Sequence, residues 1–278
     1  MIPPIANRFV AGESPATALE HVRRLNERDV AGIVNLLGEH YETRPPVRSD
    51  AAEYRALARD IAASDLEATL SVKPSQLGLD LGEDVFRETL ADVVDVAADR
   101  DVFVWIDMED HTTTDATLDA FEDLVTEHGG GIGVCVQANL RRTRDDVKRL
   151  ADVPGRVRFV KGAYDEPAAV AYQDADRVDR EYEALLEYAF AHYDGGIAVA
   201  SHDPAMIDVA IELHEEHDTP FEIQMLMGVR EAAQYDLAAE YPVSQYAPFG
   251  DRWLSYFYRR MTERTANVRF ALRALLDR

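Results

Sequence analysis

Near the C-terminus the chain reads YAPFGDRWLSYFYRRMTER, and within it Tyr256, Arg259, Arg260 and Glu263 stand at i, i+3, i+4 and i+7, one face of a helix. A face that only packed would be apolar. Two adjacent guanidiniums, each able to grip a carboxylate through two parallel N–H donors, make a clamp for a carboxylate ligand. On its own the pattern is more often a solvated face carrying an Arg–Glu pair, so the rest of the chain has to decide.

Further polar groups upstream share one placement. Lys73 sits in SVKPSQLG, Asp107 and Glu109 in DMEDH, Gln137 in VQANLRR, and Arg158, Lys161 and Tyr164 in RFVKGAY. His202 follows in ASHD, Gln224 and Leu226 in EIQML, and Tyr246 in QYAPFG. Apart from Arg158, which lies near the start of its run, each lies near or just beyond the end of an apolar, β-rich run, the runs being 33–37, 68–72, 102–108, 132–138, 157–163, 197–201, 221–226 and 243–246. Every run is followed by helix-like spacing, and a further helix is expected over 15–28. Continuous apolar runs are what parallel strands buried on both faces require, so eight βα units predict an α/β fold, a (β/α)8 barrel with an extra N-terminal helix. An open doubly wound sheet is the alternative. No linker or low-complexity tract interrupts the alternation, which predicts one domain over 1–278. In such a barrel the active site forms at the C-terminal ends of the strands, where these side chains gather.

Composition narrows the class. Against 52 acidic residues stand 29 basic ones, a net charge of −23 that argues against nucleic acid or an anionic membrane surface as partner. Only Lys73, Lys148 and Lys161 are lysines. An acidic, lysine-poor surface suits an enzyme working at high salt, where screening removes self-repulsion. The single cysteine, Cys135, cannot form an intramolecular disulfide, and no Cys/His cluster marks a zinc site. With no signal-peptide pattern and no run of 18 apolar residues, a cytoplasmic chain is expected, soluble or at most peripheral at the inner face of the membrane.

SVKPSQLG, DMED, VRFVKGAY, FEIQML, YAPFG and YRRMTE, in that order, resemble the motifs of the proline dehydrogenase family in its short monofunctional form, over Arg8 to the C-terminus. The resemblance implies a distorted TIM barrel with a C-terminal helix over the active site. It also implies non-covalent FAD and oxidation of L-proline to Δ1-pyrroline-5-carboxylate, with a hydride passing from proline C5 to flavin N5. Electrons would then pass to a quinone or other acceptor. The chain shows no aldehyde dehydrogenase module, so a separate pyrroline-5-carboxylate dehydrogenase is expected to consume the product.

Carried over residue by residue, the resemblance gives Arg158 and Asp107 catalytic roles, the first beside flavin N5 and the second setting conformation. Lys73, Arg259 and Arg260 correspond to the carboxylate clamp, and Tyr164, Leu226, Tyr246 and Tyr256 to the lining of the proline ring. Gln137, Arg158, Lys161, Ala163, His202, Gln224 and Glu263 correspond to cofactor contacts. Tyr256, one turn before the Arg pair, is expected to block a 4-hydroxyl and so to favour proline over hydroxyproline. Asn139 and Met227 stand where the family often has aromatic residues.

Three features test the reading. Arg158 and Lys161 are three apart, so on an ideal strand they face opposite ways, and a bend or bulge at Lys161-Gly162 is needed to bring both to the mouth. GGGIGV at 129–134 precedes a strand, whereas a dinucleotide loop follows one. Asp107, Glu109, Asp110 and His111 are hard ligands that could hold a divalent cation, which leaves a metal-dependent barrel lyase or hydrolase as an alternative beside hydroxyproline oxidation.

Overall fold

The computed structural model describes residues 8–254. Eight parallel strands close into a barrel in chain order: β1 (Val30–Leu36), β2 (Ala68–Val72), β3 (Val104–Ile106), β4 (Ile132–Gln137), β5 (Arg156–Val160), β6 (Ile197–Ala200), β7 (Phe221–Leu226) and β8 (Val243–Phe249). The open-sheet alternative is removed by the last ladder, in which β8 pairs β1 from Val243 against Val30 to Phe249 against Leu36. Helices α2 (Arg44–Ala62), α3 (Glu83–Ala98), α4 (Thr114–His128), α5 (Thr143–Leu150), α6 (Ala175–His192), α7 (Pro204–His217) and α8 (Glu231–Ala238) link successive strands. The expected N-terminal helix is α1 (Pro15–Asn26). The expected C-terminal helix, with Tyr256, Arg259, Arg260 and Glu263, lies outside the described residues.

Local chemistry sets these elements. Ser14 caps α1 in a reciprocal pair with Thr17, and Pro15, whose missing N–H costs nothing there, opens the first turn. In α2 the buried residues Val47, Ala51, Tyr54, Ala58 and Ile61 recur every three or four positions, one stripe against the barrel. Gly32 lets α1 approach β1, because a Cβ there would stand 2.5 Å from Val22 Cγ2.

Alternation divides the strands into two populations. Outward residues such as Val34, Leu70, Ile106, Val134, Val157 and Ile223 join the main core with the helices. Inward residues form a small separate floor of Ile33, Trp105 and Ala198, against which Phe103 and Tyr246 pack. Trp105 fits only because its partner in the ladder is Gly133, where a Cβ would meet the indole at 2.4 Å. Filling that space with an aromatic makes the barrel a packed core, and truncating such a residue to Ala typically costs about 3–5 kcal/mol. Above the floor the inward positions turn polar, at Ser71, Asp107, Arg158 and Gln224, all buried.

Candidate active site

A cavity of about 430 Å³ opens at the C-terminal ends of the strands, within the size range of small-molecule sites. Its wall includes all eleven expected site residues that fall within the described chain: Lys73, Asp107, Gln137, Arg158, Lys161, Ala163, Tyr164, His202, Gln224, Leu226 and Tyr246. They come from seven strands, β2 to β8, or the loops after them, as the barrel geometry requires.

Asp107 is the hub. It follows the last residue of β3, and its Oδ1 accepts hydrogen bonds from Ser71 Oγ at 2.7 Å and Arg158 Nη1 at 2.7 Å. Its Oδ2 accepts from Lys73 Nζ at 2.9 Å and the Tyr246 hydroxyl at 2.8 Å. Two cations and two hydroxyls thus surround one buried carboxylate. Burial alone would raise its pKa, but Lys73 and then Arg158 outweigh burial and hold it far below the usual carboxylate range. In return, Asp107 overcomes the burial of Lys73 and keeps that ammonium charged. Burial, and then the negative charge of Asp107, keep Tyr246 protonated. Fixed charges, in no position to exchange protons at neutral pH, are what this cluster offers.

Arg158 reaches into the barrel from β5. Its guanidinium lies 4.6 Å above the Trp105 ring, and its Nε donates to Gln224 Oε1 at 2.6 Å. Nη2 is buried and has no hydrogen-bond partner among the described residues. A buried charged donor left unmade is costly, so this atom at the cavity wall marks a place for a ligand acceptor. Gln137 donates from Nε2 to the carbonyl of Glu109 at 2.8 Å, which leaves its Oε1 as an acceptor.

Lys161 resolves the question of parity. β5 ends at Val160, and Gly162 has φ of +113°, a conformation that L side chains rarely adopt. The chain therefore bends just past the strand end, with no bulge in the ladder, and both Arg158 and Lys161 line the cavity. A Cβ on Gly162 would also lie 2.2 Å from Asn139 Oδ1, so the residue is fixed by space as well as by angle. Lys161 is not an open cation. It contacts Asp179 Oδ1 at 2.5 Å and Asp203 Oδ2 at 2.7 Å, and these carboxylates outweigh partial burial to raise its pKa. Asp203 serves twice, because its other oxygen caps α7 through Ala205 N–H at 3.1 Å.

His202 Nε2 accepts from the backbone N–H of Leu226 at 3.1 Å. Burial, helped by Arg230, pushes its pKa down to about 4, so the ring is neutral at pH 7 and carries its proton on Nδ1. Arg230 itself donates to the His202 carbonyl at 2.6 Å.

The acidic cluster proposed for a metal does not assemble. Asp107 is enclosed by Lys73 and Arg158, while Glu109 takes the backbone N–H and hydroxyl of Ser75 at 2.6 and 2.7 Å. His111 pairs with Glu166 through both its backbone N–H and its ring. The chain leaves the strand after Ile106, and each of these side chains is claimed by a different neighbour, which corrects the Asp107/Glu109 alternative. Sequence reasoning missed Ser71, Asp179, Asp203 and Arg230. Alternation from Lys73 points back to Ser71, and the Asp-Pro pair marks Asp203 as a helix cap; no local signal pairs Asp179 with Lys161.

A family model described as proline dehydrogenase matches residues 18–273. The chain is 37% identical over 279 residues to proline dehydrogenase 1 of Bacillus subtilis (strain 168), covering 98% of this chain and 91% of that protein. It is 36% identical over 282 residues to the proline dehydrogenase of Deinococcus radiodurans, covering 98% and 90%. Among solved structures it resembles proline utilization A from Bdellovibrio bacteriovorus inactivated by N-propargylglycine, with a TM-score of 0.83 and 25% identity. That match covers 92% of this chain and 32% of the solved chain, so the chain spans about a third of the larger protein.

Proposed function

The chain belongs to the proline dehydrogenase family and is an oxidoreductase acting on proline, and we propose that it takes a hydride from C5 of L-proline with FAD held non-covalently in the barrel mouth, giving Δ1-pyrroline-5-carboxylate. The observation that carries this reading is the Asp107 hub with Arg158 Nη2 beside it, an atom without a hydrogen-bond partner among the described residues.

The donor set fits a flavin. Arg158 Nη2 is a donor for a ring acceptor, Gln137 Oε1 is an acceptor for a ring N–H, and Val160, Met225 and Leu226 supply apolar wall. The fit is weakest at the rim, where Asp179 and Asp203 already neutralise the Lys161 charge that would face a pyrophosphate. Held by these residues, FAD would supply the redox chemistry as the hydride acceptor. The protein's part is orientation and field. Lys73, with Arg259 and Arg260 from the C-terminal segment, would hold the substrate carboxylate, and Tyr164, Leu226 and Tyr246 would enclose the ring. Arg158 would place a fixed positive charge beside the flavin and shift its potential upward.

Asp107 is held anionic, while Lys73 and Tyr246 are held protonated. The acid limb of the rate is therefore assigned to the substrate's own amine, which must be neutral to release a hydride. Electrons are expected to pass onward to a quinone-type acceptor, and the product to a separate pyrroline-5-carboxylate dehydrogenase. No helix among the described residues is long and apolar enough to cross a membrane.

The test is product analysis. Purified protein supplied with FAD, L-proline and an artificial acceptor should form the cyclic imine, detected by trapping with an aromatic amino-aldehyde. Consumption of proline without that adduct would rule out oxidation at C5.

A further inference from the structure

Beneath the Asp107 hub lies a second polar layer inside the barrel, Glu222 and Ser244, which is not part of the cavity wall and connects to it through Gln224. Arg158 Nε donates to Gln224 Oε1 at 2.6 Å, and Gln224 Nε2 donates to Glu222 Oε1 at 2.9 Å. The other oxygen of Glu222 accepts from Ser244 Oγ at 2.9 Å. These residues alternate on the inward face of β5, β7 and β8, with Gln224 level with Ser244 in the ladder. Arg158, Gln224 and Ser244 are buried, and the Glu222 side chain is 17% exposed. Outside this chain, Arg156 comes no closer to Glu222 than 3.9 Å.

The chemistry of the groups fixes their order. An arginine Nε–H can only donate, and an ionised carboxylate can only accept. Between them an amide has one workable orientation, Oε1 toward Arg158 and Nε2 toward Glu222. Were Glu222 apolar, nothing would hold Gln224 against rotation, and the flipped amide would set N–H against N–H at Arg158. The guanidinium would then lose one of the contacts that fix its plane.

We propose that Glu222 is a positioning residue: by locking the amide of Gln224, it holds Arg158 with Nη1 on Asp107 and Nη2 left for the ligand at the cavity wall. The inference rests on the proline dehydrogenase reading with FAD. It extends the function of the site one layer below any residue that meets substrate or cofactor. Ser244 steadies Glu222 from β8, so the device spans three strands of the barrel.

The experiment compares wild-type holoenzyme, Glu222→Leu, Ser244→Ala and the exchange Glu222→Gln with Gln224→Glu. Three quantities are read: the flavin midpoint potential, the FAD dissociation constant, and the anaerobic rate of flavin reduction at saturating L-proline beside the proline concentration for half-saturation. Glu222→Leu is expected to shift the potential negative, weaken FAD binding and slow reduction about tenfold, with half-saturation little changed. The exchange keeps an acceptor facing Arg158 and a donor behind it, and should restore the rate to within about threefold. Ser244→Ala should move the potential in the same direction by less, and it supplies the reading should Glu222→Leu fail to fold. If wild type is bleached by proline while the variants keep its potential and rate within about twofold, or if the exchange is no better than Glu222→Leu, the positioning role is overturned. If wild type binds FAD but is not bleached, it is the functional reading that falls.

Discussion

Replacing Asp107 with Asn should destabilise the protein far more at neutral pH than in acid. Asp107 accepts four hydrogen bonds, two of them from the part-buried Lys73 and the buried Arg158. An Asn can keep the two at one oxygen, but its NH2 group then faces the remaining donors. One charge-assisted bond worth about 1.5–3 kcal/mol and one neutral bond worth about 1 kcal/mol are lost. Lys73 and Arg158 also lose their shared counter-charge, and breaking a buried pair from one side costs about 3–5 kcal/mol in all. Set against a total stability of roughly 5–15 kcal/mol, the variant stays folded but melts several degrees lower.

The sign of the pH dependence follows from the depressed pKa. A carboxyl whose folded-state pKa lies below its unfolded value near 3.9 contributes its full stability above that value and loses it as pH falls toward the folded pKa. The wild-type minus variant difference, measured by urea unfolding, should be flat from about pH 5 to 8 and shrink below about pH 4. Subtraction removes the titration of every other group. A difference below about 1 kcal/mol at pH 7, or one that does not shrink in acid, would refute the claim that Asp107 is a buried anion held by these cations.

Four further outcomes follow from the same geometry. Arg158→Lys keeps the charge but loses the fork that meets Gln224 and Asp107, and should slow anaerobic flavin reduction by roughly 10²-fold in stopped flow. His202 has a folded pKa of about 4 against 6.5, so stability falls as pH drops from 6.5 toward 4; His202→Gln should flatten that slope by about 2 kcal/mol after allowance for its incomplete burial. Gly162→Ala meets both a φ of +113° and Asn139, and should cost about 1–3 kcal/mol while raising the half-saturating proline concentration, as read by melting and initial rates. Raising NaCl from about 0.1 M to about 2 M should raise the melting temperature if the −23 charge is tuned to high salt, and a fall would contradict that habitat.

The barrel was legible because its strands are long in apolar residues on the side that meets helices. Runs 68–72 and 221–226 coincide with β2 and β7. Run 102–108 is longer than β3, which spans only Val104–Ile106, although the Asp107 N–H still reaches the Val72 carbonyl of β2 at 2.9 Å. Run 157–163 overshoots β5 because of the bend at Gly162. Run 243–246 stops short of β8, whose Pro248 reads as a breaker although the strand pairs β1 through Phe249. At the site, residue types and strand ends were enough to name the side chains that share the cavity. What they could not give was pairing between distant segments. Lys161 reads as a free cation in an acidic chain until Asp203, 42 residues on, is seen against it. Ser71 and Glu222 hide in plain strand sequence, and only the inward parity shared with Lys73 and Gln224 marks them.

The most direct measurement is the visible absorbance spectrum of the FAD-loaded protein at high salt, before and after L-proline under anaerobic conditions. Oxidised-flavin bands that bleach on adding proline are the predicted result, since one observation then joins cofactor, substrate and hydride transfer at the Asp107–Arg158 site. Protein that takes up no FAD, or whose flavin bands are unmoved by proline, would contradict the account.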